Sequence, residues 1–204
     1  MNNEPWLGVV VPLRPPSSSD TPSILPRSIL AFDQQVGRRI NGSTPRARAD
    51  RALLGLSTSA NNGLLWYAVA AGLALTGRTG RRAAVRGLLS LAGSSAVANL
   101  VAKPIFGGHR PVAADVPVAR QLKVFPQSAS FPSGHTASAA AFASGVAIES
   151  PALAVAVVPI AAAVGYSRLH VGAHWLSDVV GGALIGVGVA AVGRILVRSG
   201  RARS

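Results

Sequence analysis

The sequence of 204 residues contains no cysteine, which excludes disulfide frameworks, thiolate metal sites and cysteine nucleophiles together. Charged residues make up 13%, about half the roughly 25% usual in soluble domains. Aromatic residues are scarcer still at 5%, and acidic side chains number only seven. Alanine, glycine, valine and leucine fill the chain instead: 49% of residues are hydrophobic and the mean hydropathy is +0.39. So apolar and charge-poor a composition excludes a disordered polypeptide and argues against an ordinary soluble domain. It suits helices packed in lipid, where small residues let backbones approach closely.

The few charges are one-sided. The net charge is +13, with 18 arginines and two lysines. Nucleic-acid modules interleave such charges with aromatics or line them along one helix face. Here the basic residues fall between apolar stretches, at Arg78, Arg81 and Arg82 and again at Arg194, Arg198, Arg201 and Arg203. Lipid headgroups and membrane topology call for that arrangement, so a bilayer is the expected partner and nucleic acid is not.

Composition shifts divide the chain. Residues 1–27 carry six prolines and the run Ser17–Ser19, which reads as a flexible tail with no cleaved signal. Residues 28–58 read as amphipathic helices. Ile29, Phe32, Val36 and Ile40 recur at helical spacing opposite Asp33, Gln34 and Arg38, which fits a helix on the membrane surface or one packed on its own domain. Residues 59–198 form the membrane-embedded domain, and 199–204 a basic tail. The expected fold is an all-α integral-membrane bundle of about five transmembrane helices, with six possible. The first lies in the charge-free stretch Ala52–Gly77 and the second in Ala83–Ala102. A third runs from near Ser133 to Glu149, a fourth follows Pro151, and a fifth runs from about His174 to Val197. Residues 104–132, broken by Pro104, Gly107, Gly108, Pro111, Pro117 and Pro126, form a loop outside the bilayer.

Polar residues interrupt the apolar stretches at three places, and ionisable groups within membranes are candidates for function. Lys103 and Arg110 lie in KPIFGGHRP, Ser133, Gly134 and His135 in FPSGHTAS, and Arg168, His174 and Asp178 in SRLHVGAHWLSD. Counting crossings brings all three to one membrane face. The second helix ends and the third begins there, while the third and fourth cross over and return. Each feature alone has a plainer reading, as a snorkelling anchor, a helix cap or a surface pair. Together they have a chemistry. Three cations suit a phosphate dianion, and the start of the third helix offers backbone N–H groups beside a glycine that admits close approach. His174 and Asp178 stand four apart, the spacing of a base and its orienting carboxylate, and His135 is available as a general acid. His109 and His170 receive no role.

These motifs resemble the type 2 phosphatidic acid phosphatase family, the lipid phosphate phosphatases. Lys103, six residues and Arg110-Pro111 match its first motif, Pro132-Ser133-Gly134-His135 its second, and Ser167-Arg168, five residues, His174, three residues and Asp178 its third. The likeness spans roughly residues 60–197 and looks closest to the phosphatase half of actinobacterial proteins fused to a diacylglycerol-kinase-like domain. The matching stretches run from Ser59 to Trp66, Arg82 to Pro111 and Ser128 to Ser150. Leu176 stands where the family often has proline.

The resemblance implies a nucleophilic His174 that forms a phosphohistidine, oriented by Asp178, with His135 protonating the leaving oxygen. It implies that Lys103, Arg110, Arg168, Ser133 and Gly134 hold the phosphoryl oxygens. No metal and no other cofactor is expected. Asp178 is the only acidic residue in the clusters, too few hard ligands for magnesium. Two rivals stand beside this reading. A vanadium haloperoxidase shares the anion site, but those relatives are soluble. A non-catalytic lipid-phosphate binder or transporter would not need His174, Asp178 and His135 together. Phosphatidic acid, polyprenyl diphosphate, phosphatidylglycerophosphate and a prenyl-phosphoryl sugar phosphate all present a suitable phosphate. Arginine and alanine usage points to a GC-rich bacterium, hence to a bacterial cell membrane. Arg78, Arg81, Arg82, Arg86, Arg194, Arg198, Arg201 and Arg203 on the opposite face place the motifs outside the cytoplasm by the positive-inside rule, while five crossings would set Arg14, Arg27, Arg38, Arg39, Arg46, Arg48 and Arg51 on the site face against it.

Overall fold

The computed structural model describes residues 25–112 and 115–201, with side chains up to residue 196. The expected tail over 1–27 lies outside the described residues except for its last three, as do residues 202–204. Eight α-helices and no strand occur among the described residues: α1 (Arg27–Asn41), α2 (Ala47–Ser59), α3 (Leu64–Ala74), α4 (Arg78–Ala96), α5 (Lys103–Phe106), α6 (Gly134–Glu149), α7 (Pro151–His170) and α8 (Leu176–Arg201). The protein is an all-α membrane bundle. Among the described residues three segments are long and apolar enough to cross a bilayer: Arg78–Phe106, Pro151–His170 and Leu176–Leu196. The first joins α4 to α5 through a π-helical turn, Val97–Ala102.

α6 is shorter, at 16 residues, and occupies the centre against α4, α7 and α8. Its sequence explains the position. Ala137, Ala139, Ala141, Phe142 and Val146 are fully buried, so the helix is apolar all round and belongs inside a bundle. Its neighbours meet it with glycine. A Cβ on Gly186 of α8 would stand 2.4 Å from the Ala137 carbonyl oxygen, and one on Gly182 2.4 Å from that of Ser133. On the other side, Gly145 of α6 faces Gly87 of α4, where a Cβ would come within 2.9 Å of the facing Cα. Trp66 of α3 closes the core, its ring centroid 5.0 Å from that of Phe142.

Several boundaries differ from those the sequence suggests, α4 among them, which begins at Arg78 rather than Ala83. The charge-free stretch from Ala52 to Gly77 is not one crossing helix. It breaks in a 3-10 turn at Asn61–Gly63, where Asn62 and Gly63 have φ of +54° and +77°, a backbone region that asparagine and glycine tolerate best. α2 therefore stays at the end of the bundle where α7 terminates, and only the 11 residues of α3 turn back along α4. The last helix begins at Leu176 rather than near His174, because Gly172, at φ +64°, ends the run of α7 and opens a turn. α8 continues to Arg201, into the segment that charge alone marks as a tail.

α1 docks across this turn by a face its amphipathic pattern does not announce. Asp33 accepts from the Ser177 backbone N–H at 2.9 Å and from the Ser177 hydroxyl at 2.6 Å, a carboxylate cap for α8 supplied from another helix. One turn on, Gly37 lies against the Trp175 ring, and Asn41 donates to the Leu169 carbonyl. Phe32 and Ile29 remain exposed on the outer side.

Candidate active site

The loop after α5 is folded back on itself. Gly107 and Gly108, at φ +64° and +110°, accept through their carbonyls from Phe131 N and Ser130 N, both at 3.0 Å. This closure lays Arg110 beside residues 128–130. Its Nε donates to the Ser128 carbonyl at 3.0 Å, Nη2 to Ser128 Oγ and the Ala129 carbonyl at 3.3 Å, and Nη1 to the Ala173 carbonyl at 2.5 Å. Lys103, directly after the π-turn, donates to the same Ser128 Oγ at 3.2 Å.

The turn between α7 and α8 carries His174. Its Nε2 stands 3.2 Å from Arg110 Nη1, and its Nδ1 3.3 Å from Asp178 Oδ2. A guanidinium can only donate, so Nε2 accepts and the ring proton sits on Nδ1, directed at the carboxylate. Burial, together with Arg110 and Arg168, pushes the imidazole down to about 4 against the opposing pull of Asp178. His174 is therefore neutral at ordinary pH, with its free lone pair on Nε2. Asp178 Oδ2 also accepts from Ser130 Oγ at 2.5 Å and from the Trp175 N–H at 2.8 Å, which fixes the orienting group itself. Burial likewise lowers the Arg110 guanidinium, partly offset by Asp178.

Arg168, almost completely buried at the end of α7, donates through Nη1 to Ser57 Oγ of α2. Its Nε is buried with no partner among the described residues. An unpaired buried donor of this kind carries a desolvation cost that an anion would relieve. At the start of α6, the Ser133 hydroxyl is the helix cap, accepting from Thr136 N and Thr136 Oγ1 at 3.4 and 3.0 Å. The Ser133 N–H is already given to the Asp178 carbonyl at 3.0 Å, which leaves Gly134 and His135 as the first-turn N–H groups facing outward. A Cβ on Gly134 would lie 3.1 Å from Asn99 Oδ1, so glycine admits the asparagine of the π-turn to this end of α6. His135 Nε2 stands 2.8 Å from Asn61 Oδ1, and its ring feels the charges of Arg168, Lys103 and Arg110.

The structure thus brings Lys103, Arg110, Ser133, Gly134, His135, Arg168, His174 and Asp178 to one end of the bundle. The sequence does not single out Ser57, Asn61, Ser128 or Ser130 as their partners, since each is an uncharged polar residue outside the three motifs. His170 joins a different cluster. With Arg120 it holds the buried Asp50, the His170 Nε2 and Arg120 Nε each 2.9 Å from Asp50 Oδ1. Arg120 also reaches the carbonyls of Ile40, Ser43 and Thr44. Burial opposes the charge of Asp50, but Arg120, the Arg46 N–H and His170 outweigh it and hold the carboxyl below its ordinary range. Among the described residues no group of three or more His, Cys, Asp or Glu side chains is placed to hold a metal ion.

Comparison with known proteins gives a consistent placement. The sequence family described as the PAP2 superfamily matches residues 83–200, a span that includes all three motifs. No curated protein sequence matches. Among solved structures, the transmembrane PAP2-type phosphatidylglycerolphosphate phosphatase of Bacillus subtilis superposes with a TM-score of 0.65 at 19% identity, covering 86% of this chain and 89% of that one. Aquifex aeolicus LpxE superposes with a TM-score of 0.63 at 23% identity, covering 79% and 93%.

Proposed function

The chain belongs to the PAP2 superfamily, and from that premise we propose that it is a membrane hydrolase that removes a phosphomonoester or terminal phosphate from a lipid through a phosphohistidine. The observation that carries this reading is the state of His174: neutral, its Nδ1–H directed to Asp178, and its Nε2 lone pair aimed at the guanidinium that would bind the substrate phosphate.

The sequence of steps follows from that geometry. A phosphoryl group held by Arg110, Lys103, the spare Nε of Arg168 and the first N–H groups of α6 takes over the Arg110 Nη1 that Nε2 engages in the free protein. Nε2 then attacks phosphorus, the N–P bond forms, and the P–O bond to the lipid alcohol breaks. Asp178 stabilises the positive imidazole. His135, which takes up a proton once the phosphate dianion offsets the cations around it, exchanges its Asn61 bond for one to the leaving oxygen and donates that proton. It then accepts a proton from the water that cleaves the N–P bond, releasing inorganic phosphate and restoring both histidines. The fixed cations and N–H groups stabilise charge on the equatorial oxygens of the transition state. The donor set favours hydrolysis without a metal, since cations fill the place where carboxylates would be needed.

The Bacillus subtilis neighbour is a phosphatidylglycerolphosphate phosphatase. That supports keeping phosphatidylglycerophosphate, already one of the four candidates, in the substrate panel beside phosphatidic acid and the prenyl-linked phosphates. We place the protein in a bacterial cell membrane with this site on the outer face, on the arginines in the short segments at the start of α4 and the end of α8.

Phosphate release in detergent micelles tests the reaction. Turnover should persist in excess EDTA and be blocked by orthovanadate. An acid-labile, base-stable phosphoryl label should appear on the wild type and be absent from His174→Ala. Activity restored only by magnesium, or equal labelling of His174→Ala, would overturn the mechanism. Specific binding without turnover would favour the lipid-phosphate binder.

A further inference from the structure

The end of the bundle opposite the site carries a cleft of about 520 Å³ between α4, the end of α6 and α8. Its trough is apolar, formed by Val85 and Leu89 on α4 and Val189 and Gly193 on α8. A Cβ on Gly193 would meet nothing within 4 Å, so the absent side chain leaves the trough open along α8. Three arginines stand at its mouth. Arg86 is neutralised by Glu149, its Nε 2.5 Å from the carboxylate. The side chains of Arg81 and Arg82 are exposed and have no hydrogen-bond or ion-pair partner among the described residues. Arg81 precedes Lys103 by about 33 Å of helix at 1.5 Å per residue, roughly the thickness of a hydrocarbon layer. The cleft therefore sits at the headgroup level of the leaflet that the active site does not face.

We propose that this cleft is a binding site for one anionic phospholipid of that leaflet. Arg81 and Arg82 hold its phosphate, and an acyl chain lies in the trough over Gly193. Two observations carry the choice of ligand. The trough is apolar, which suits a chain rather than a soluble anion. The mouth keeps two uncompensated positive charges after the Arg86–Glu149 pair is formed, which favours a net negative headgroup over a zwitterionic one. Guanidinium forks bind phosphate oxygens in pairs, so adjacent arginines supply more donors than a single anchor at the interface needs. The inference is independent of the catalytic reading, because no residue of the cleft belongs to the site.

Native mass spectrometry of the full chain, released from bilayers of equal parts phosphatidylglycerol and phosphatidylcholine, tests it. The wild type should retain a single phosphatidylglycerol. The double variant Arg81→Gln, Arg82→Gln should need about thirtyfold more of that lipid for equal occupancy, the loss expected for two interfacial arginines. Gly193→Leu, which fills the trough with both arginines in place, should also lose the adduct. The glutamine pair changes only exposed side chains and so remains informative if Gly193→Leu fails to fold. Equal retention of phosphatidylcholine, or undiminished retention by the glutamine pair, would overturn the proposal. So would ready disulfide dimerisation of Val85→Cys in the bilayer, since that outcome would seat a second copy of the chain on the cleft.

Discussion

At the scale of the residue, the two site histidines are held in unlike ways, and substitutions should separate them. His174 is enclosed, with Asp178 on one nitrogen and Arg110 on the other. His135 is held by a single hydrogen bond to Asn61, in a turn outside all three motifs. Asn61→Ala frees that ring. It should slow hydrolysis of a lipid phosphate by about tenfold, part of the 10²–10⁴ that general acids contribute, and leave p-nitrophenyl phosphate less affected. An aryl oxide leaves readily without a proton, whereas a lipid alkoxide does not. Equal loss on both substrates would refute a role through His135.

The acidity of His174 gives a second forecast. Its imidazole stays neutral down to about 4, so the acid limb of kcat/KM should fall with a midpoint near 4 rather than near the ordinary value of about 6.5. Linkage points the same way. The unfolded chain takes up this proton near 6.5 and the folded one only near 4. The stability tied to His174 is therefore fully present above about 6.5 and declines as pH falls from there toward 4. A limb centred near 6.5 for a substrate whose phosphate does not titrate there would contradict the burial of this ring.

At the scale of the element, the bundle depends on how closely helices approach α6. Gly186 and Gly188 are both glycines of α8, but only the first meets a neighbour. A Cβ on Gly186 would press on the Ala137 carbonyl at 2.4 Å and Ala141 N at 2.7 Å, whereas one on Gly188 meets nothing within 4 Å. Gly186→Ala should cost about 1–3 kcal/mol through overpacking against backbone that cannot yield. Gly188→Ala should be neutral or stabilising by up to about 1 kcal/mol, because alanine is the better helix former. Thermal melting in one detergent checks the pair, and equal effects would show that α6 and α8 do not meet as described. Periodicity alone does not distinguish these two glycines. Helix existence is legible in runs such as Pro151–Tyr166, while the glycines at a crossing are identified only by what lies opposite.

At the scale of the whole molecule, the N-terminal helices bear on topology. α1 and α2 lie at the site end, tied there by Asp33 to Ser177, Ser57 to Arg168 and Asp50 to His170 and Arg120. Arg38, Arg39, Arg46, Arg48 and Arg51 thus share a face with the site, against the arginines at the start of α4 and the end of α8. Reporter cysteines decide between the two groups cleanly, because the chain has none of its own. Val112 and Thr79 are exposed at opposite ends of the bundle, whereas neighbouring Gly80 is buried 2.0 Å, by its would-be Cβ, from the Leu73 carbonyl. With a membrane-impermeant maleimide on intact cells, Val112→Cys should label and Thr79→Cys should be protected. The reverse would turn the active site toward the cytoplasm.

The three motifs and their convergence are determined by sequence alone. Residue identities declare the chemistry, and the parity of apolar stretches puts their polar ends on one side, whatever the tilt of each helix. The membrane class follows from the same scarcity of charge. The supporting contacts are decided only in three dimensions. His135 to Asn61, Asp178 to Ser130 and Ser177 to Asp33 join residues 74, 48 and 144 positions apart. Each partner is a single polar residue in a turn or on a helix with another evident role, so no period in the chain marks it. The reason is physical: a helix is specified by hydrogen bonds four residues apart, and its pattern can be read locally. A side-chain bond between elements depends on where the packed glycines and turns bring two backbones, which no local stretch contains.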